Sequence, residues 1–165
     1  MPTVLEDVMF GPKNFGFSNE EAENNAINAL KKVKMDNFID KPPHHLSFGQ
    51  KRKVAIASVL ASEPELLVLD EPSSNLDPAS RRELIEILKS LEISLILVTH
   101  DLPMALEICD RSIILNNGEI TTDMKTYAIL KDKKIMEENR LELPYGFALH
   151  HFCLLYTSDA ADEPS

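Results

Sequence analysis

The chain has 165 residues, 44% of them hydrophobic and 27% charged, and its 17 Lys and Arg against 27 Asp and Glu give a net charge of −10. That length suits one ordinary domain, the composition supports a buried core and excludes wholesale disorder, and the acidic balance argues against a basic face gripping a phosphate backbone. No apolar run reaches the ~18 residues of a membrane-spanning helix, and the N-terminal stretch lacks the apolar core of a signal peptide. The two cysteines, Cys109 and Cys153, define no disulfide framework and point to a reducing compartment. Three acids and no base fall in the last 13 residues, so residues 1–152 carry −7.

In chain order, Met1 to Ser18 mixes Pro, Gly and aromatics without periodicity and reads as loop with one short helical turn. Ser18 followed by Glu21 is a capping-box pattern that starts a helix, and Ala26, Ile27, Leu30 and Val33 give it one buried face. Lys41-Pro42-Pro43 closes this unit, because a residue before proline is pushed out of helix. A second helix is expected from about Gln50 to Leu60, with Val54, Ala55, Ala57, Ser58 and Ala61 as a stripe of small residues. Leu66 to Leu69 is a bare apolar run that breaks at Asp70-Glu71, the pattern of a strand buried on both faces of a parallel sheet. Asp77-Pro78 starts a third helix, with Asp as N-cap and Pro in the first turn, running through Leu84, Ile87 and Leu88 to about Leu91. A second bare strand, Leu95 to Val98, ends in Thr99-His100-Asp101. A short helix holding Met104, Ala105 and Ile108 follows, and Arg111 to Leu115 with Glu119 to Thr121 form a hairpin around Asn116-Asn117-Gly118. Strands alternating with helices define an α/β arrangement.

Chemistry concentrates at the strand ends. A buried strand that delivers Asp70 and Glu71 to its C-terminal end puts two carboxylates in the crevice where α/β sheets bind ligands. Alternation along the strand lets one of them hold Mg²⁺, often through water, while the other polarises an attacking water. By themselves the two acids could equally be a solvated acidic turn. Ser47, Gly49 and Gln50 open a helix whose first amides can form an anion site, although a plain Ser N-cap is the commoner fate of such a sequence. Ser74 to Asp77 is a tight polar loop that also reads as an N-cap. His100, at the end of the second strand, is by itself more often a capping or packing residue than a ligand.

The order of these pieces is more specific than any one of them. Leu46-Ser47-Phe48-Gly49-Gln50, then Leu66 to Pro72, then Ser74 to Pro78, then a bare strand ending in Thr99-His100-Asp101 resembles the ATP-binding cassette (ABC) ATPases from about Thr3 to Glu119. The resemblance implies a P-loop NTPase-like α/β nucleotide-binding domain, here its helical subdomain plus the Walker B half of the parallel sheet. It implies ATP and Mg²⁺ as cofactors. Ser47, Gly49 and Gln50 would belong to the signature loop, and Asp70 would be the metal-side acid. Glu71 would be the catalytic base, Ser74 to Asp77 the D-loop, and His100 the switch histidine that senses the γ-phosphate. Thr3 to Val8 with Phe10-Gly11-Pro12, and Pro42 to Ser47, look like the ATPase subunits of energy-coupling-factor importers, cobalt or nickel uptake subunits among them. The implied partners are a second ABC ATPase subunit and an integral membrane transporter subunit, with no nucleic acid, at the cytoplasmic face of the membrane. Phe48 departs from the pattern, standing where glycine is commonest. A ring is compatible with a phosphate site there only if it points away, and it lowers loop flexibility. The rival readings are an ABC ATPase of DNA repair or of the ribosome, and a non-catalytic module offering its signature loop to a partner's ATP. The uninterrupted span from Gln50 to Asp70 and the short acidic chain weigh against the first.

Such an ATPase needs a GxxxxGK[ST] loop to cradle the phosphates. The nearest match, Gly11 to Ser18, has Phe17 in the lysine position, no buried strand before it, and Pro12 in place of an amide. In the resembled family that loop lies upstream of the Thr3–Pro12 region, so residues 1–152 are expected to be a truncated nucleotide-binding domain. Cys153 to Glu163 closely resembles the in-frame translation of a sequencing adapter, which makes residues 153–165 an expected non-native tail. Cys153 and Tyr156 then carry no role. His150-His151 has no third ligand at convincing spacing and reads as a surface pair.

Overall fold

A computed structural model describes residues 3–142, divided into two compact units at His100/Asp101. His150-His151, Cys153, Tyr156 and the expected tail lie outside the described residues.

The first unit opens with a helix where the sequence suggests a loop: α1, Val4–Asn14. Its start is a full capping box. Glu6 N–H donates to Thr3 Oγ1 at 3.2 Å and Thr3 N–H to a Glu6 carboxylate oxygen at 2.9 Å, which satisfies two amides that a helix start leaves unpaired. Two more, on Val4 and Leu5, donate to the carbonyls of Lys41 and Ile39 at 2.9 and 3.1 Å. Gly11 and Pro12 suggest a loop, yet Pro12 falls near the end of the helix, and Val4, Val8, Met9 and Pro12 form its buried face. The nearest match to a phosphate-cradling loop therefore begins inside a helix, with no strand before it among the described residues.

Ser18 and Glu21 start α2, Asn19–Lys32, by the same reciprocal bonding, as the sequence predicts. Its buried face is Ala22, Ala26, Ala29 and Leu30, with Val33 buried just beyond its end. Two short 3₁₀ turns, Asp36–Phe38 and Pro43–His45, lead to α3, Phe48–Leu60. The helix begins two residues earlier than expected because Ser47 and Gln50 form a third capping box. Val54, Ile56, Ala57, Leu60 and Ala61 are buried, while Ala55 faces solvent. Helices α1, α2 and α3 pack against one another.

Strands β1, Leu66–Asp70, and β2, Ser94–Val98, run parallel with Leu67 opposite Leu95 and Asp70 opposite Val98. Between them lies α4, Pro78–Ser90, N-capped by Asp77 as expected, with Leu84, Ile85, Ile87 and Leu88 buried. The expected burial on both strand faces is not what the unit shows. Leu67 is 1% exposed, but on the other face Leu66, Val68, Ile96 and Val98 are 45%, 57%, 49% and 51% exposed. A parallel sheet needs a layer on each side, and within this unit only one face is covered.

The second unit contains α5, Leu102–Ile108, then β3, Arg111–Asn116, and β4, Glu119–Lys125. The hairpin forms where predicted, and β4 runs four residues past the expected end at Thr121. Asn117 and Gly118 have φ of 52° and 83°, the positive values that a two-residue hairpin turn needs to match strand twist. Helices α6, Thr126–Lys131, and α7, Lys133–Glu138, follow without a counterpart in the sequence reading. They close a small core of Ile129, Leu130 and Met136, against which Leu102, Leu106 and Ile114 pack. No helix among the described residues is long and apolar enough to cross a membrane.

Candidate functional site

All seven residues singled out from the sequence fall in the first unit, in two sets. The first set stands at the ends of β1 and β2. Asp70 is the last residue of β1 and is exposed. Glu71 continues the ladder, its N–H donating to Val98 O at 2.8 Å, but its φ of 45° turns the chain out of the strand. A non-glycine residue in that region is strained, and such strain persists where surrounding contacts hold it. Here they do. The His100 backbone N–H donates to Glu71 Oε1 at 2.8 Å, and His100 Nδ1 lies 2.7 Å from the same oxygen. Oε2 accepts from the hydroxyls of Thr99 at 3.3 Å and Ser74 at 3.4 Å. Parallel pairing is the reason these groups meet, since it brings both strand ends to the same edge of the sheet.

Partial burial pushes the Glu71 carboxyl up, but hydrogen bonds from the His100 ring and backbone, the charge of that ring and the Thr99 hydroxyl outweigh it, and the net direction is down. Glu71 is thus held ionised and oriented. The His100 side chain is 84% exposed and Glu71 33%, so the ring's second nitrogen is open to a ligand.

The second set sits at two helix starts. The Ser47 hydroxyl accepts Gln50 N–H at 3.3 Å and the Gln50 side chain accepts Ser47 N–H at 2.9 Å, so both side chains cap α3. Phe48 is 52% exposed and its ring lies 5.6 Å from the Arg52 guanidinium, turned along its own helix. Gly49 is where the two helices approach. A Cβ there would meet Ser80 Oγ at 3.0 Å, Ser80 Cβ at 3.2 Å and Leu76 Cδ2 at 3.7 Å. Asp77 caps α4, accepting Ala79 and Ser80 N–H at 3.0 Å each and Ser80 Oγ at 2.6 Å. Those Ser80 bonds hold its carboxyl below the ordinary range.

The structure therefore joins Glu71 to His100, and the Gly49 region to the loop before Asp77. The hydroxyls of Thr99 and Ser74 on Glu71, and Ser80 against Gly49, were not assigned these contacts from sequence. For Ser80 the only available signal was its position one turn after a capping aspartate.

Among the described residues no cluster of three His, Cys, Asp or Glu could hold a metal ion. Mg²⁺ keeps most of its water and takes one or two carboxylates plus phosphate oxygens, and the exposed carboxylate of Asp70 is a donor of that kind.

Parallel strands joined through a helix, with two carboxylates and a histidine at their C-terminal edge, form part of an α/β fold of the kind that binds ligands at that edge. The sequence family described as "AAA domain, putative AbiEii toxin, Type IV TA system" matches residues 12–107, more than half of the chain. A "Putative ABC transporter ATP-binding protein" of Streptomyces coelicolor is 60% identical over 147 residues, covering 89% of this chain and 56% of the relative. The energy-coupling factor transporter ATP-binding protein EcfA of Methanosphaera stadtmanae is 42% identical over 147 residues, covering 87% of this chain and 53% of that protein. The solved structure of cbiO1 from Clostridium perfringens, part of the ABC transporter complex cbiONQ, superposes with a TM-score of 0.71 at 36% identity, over 86% of this chain and 58% of that one. The chain belongs to the AAA-domain family, in the ABC form that these relatives represent. It spans a little over half the length of the curated relatives it matches.

Proposed function

We propose that these residues supply the Walker B, signature-loop and switch-histidine portion of an ATPase that powers a membrane importer. The contact that carries this reading is Glu71 with His100: an ionised carboxylate fixed at a strand end, beside an exposed imidazole whose far nitrogen is open. Glu71, held below its ordinary pKa, is suited to orienting a water by accepting its hydrogen bond more than to keeping its proton. His100 would meet the terminal phosphate through its exposed ring nitrogen. Asp70 would hold Mg²⁺, whose chemistry there is to neutralise charge developing on the phosphate oxygens.

In the same reading, Ser47, Gly49 and Gln50 face ATP held by a second ATPase subunit, and Asp77 supports the loop beside them. The capping box at Ser47 occupies the Gln50 amide and leaves those of Phe48 and Gly49 at the start of α3, where an anion is favoured, while Asp77 takes up the first amides of α4. The importer class would be the energy-coupling factor class that relatives such as EcfA carry in their names; the cargo would be a metal ion such as cobalt or nickel, or a vitamin. An integral membrane subunit would be the second partner, and the protein would sit peripherally at the cytoplasmic face. Within this reading residues 1–152 are a portion of the nucleotide-binding domain and residues 153–165 a foreign tail. The 165 residues by themselves, which spell no phosphate-cradling loop, should show no ATP turnover.

The test is a chimaera in which the N-terminal segment of the Streptomyces coelicolor relative is joined to this chain ahead of Thr3. It should hydrolyse ATP, and Glu71→Gln should lower turnover by about 10²-fold or more while ATP stays bound. Undiminished turnover in Glu71→Gln would overturn the assignment.

A further inference from the structure

Among the contacts that join α3 to α4, two stack in the same sense. At the helix starts Gly49 lies against Ser80, where even a methyl group on Gly49 would come within 3.0 Å of Ser80 Oγ. One turn on, Lys53 Nζ meets Glu83 Oε2 at 3.1 Å. Residues 49 and 53, and residues 80 and 83, each share a helix face, so the helices lie side by side with their N-termini at the same end. Those N-termini carry the Ser47 loop and the Asp77 loop.

Neither contact is ordinary packing. Ser80 cannot rotate away from Gly49 without losing its 2.6 Å bond to Asp77. Lys53 is 12% exposed in its side chain and Glu83 38%, a pair sheltered enough that removing one charge leaves the other poorly solvated. Leu76 completes the contact, its Cδ2 lying 3.7 Å from where a Cβ on Gly49 would be, so the loop before α4 touches α3 as well as the helix does.

We infer that Ser80 and the Lys53–Glu83 pair form a two-point clamp that makes the Ser47–Gln50 loop and the Ser74–Asp77 loop one rigid element, and so act as positioning residues. Their effect on turnover rests on the ATPase reading; the coupling of the two loops does not. Displacement of α4 would carry the Ser47–Gln50 amides with it. A side chain on Gly49, or a repelled Lys53, would separate the loops while leaving each helix intact.

Amide hydrogen exchange on the 165-residue chain tests the coupling. In Glu83→Lys, exchange should rise together at residues 48–51 and 74–77, and the double swap Lys53→Glu with Glu83→Lys should return both toward the parent rate. A rise at one loop only, or no recovery in the swap, would overturn the clamp. In the active chimaera, Glu83→Lys should lower kcat about tenfold or more, the scale of a small misplacement of reacting groups. KM should change little, and the swap should restore most of kcat. Full kcat in Glu83→Lys at a temperature well below its melting point would reduce the pair to a structural role. An inactive parent chimaera would count against the ATPase reading alone, since the exchange experiment stands without it.

Discussion

One oxygen of Glu71 accepts both the backbone N–H and the ring Nδ1 of His100, at 2.8 and 2.7 Å. The carboxylate at the end of β1 is thereby fixed by a residue two positions beyond the end of β2. Orientation of the acid and of the imidazole is a single property, and neither can turn without releasing the other.

Removing the ring should therefore change the acid. In His100→Ala the ring hydrogen bond and its charge are lost while the partial burial that raises the carboxyl pKa stays. The Glu71 pKa should move up, readable as a carboxyl ¹³C titration whose midpoint shifts to higher pH. An unmoved midpoint would show that the backbone N–H and Thr99 suffice.

Acid should destabilise the first unit. Glu21, Glu71 and Asp77 all have lowered pKa values, Glu21 through its bonds with Ser18, Asp77 through those with Ser80, and Glu71 because the His100 bonds outweigh its burial. For a lowered pKa the unfolded chain binds more protons, so the stabilisation is complete above the unfolded value of about 4 and is lost as pH falls through the folded value. Thermal melting should shift down on going from neutral pH to below about pH 4. Asp77→Asn should show a smaller drop.

The open face of the β1–β2 pair should make the chain self-associate. Val68 and Ile96 sit on that face, 57% and 49% exposed, and an apolar strand surface of this kind is a template for association. Val68→Thr with Ile96→Thr should reduce dye binding and the larger species seen in sedimentation. Leu67→Ala, on the covered face, should instead cost about 2–5 kcal/mol of stability without improving solubility.

Two local devices have their own signatures. Thr3→Ala removes one side of the α1 capping box and should cost about 1 kcal/mol, with faster amide exchange at the start of α1. Gly118→Ala forces an alanine to a φ of 83° and should cost about 1–2 kcal/mol in the second unit. Equal stability of either variant would remove the corresponding argument.

Much of this chain is written locally. Ser18 with Glu21, Asp77 with Pro78, and Asn117 with Gly118 are short-range codes whose bonds or turns span at most three residues, and each forms where its residues predict. The two bare apolar runs form the two parallel strands. Helix α1 forms where Gly11 and Pro12 suggest a loop, because Thr3 and Glu6 spell the same code as Ser18 and Glu21 and the position of proline within a helix decides whether it breaks it. Helices α6 and α7 are only six residues each, too short for periodicity to stand out, and they exist through packing on Met136, Ile129 and Leu130.

Which residues could carry chemistry is legible along the chain: the acids after one apolar run, the histidine after the next, and the Ser-x-Gly at a helix start. Folding decides which of them meet, because parallel pairing joins residues 29 positions apart and no local pattern encodes that register. It also decides that one face of the strand pair is open. An apolar run states that a strand avoids water, whereas the layers that pack on it decide which side succeeds.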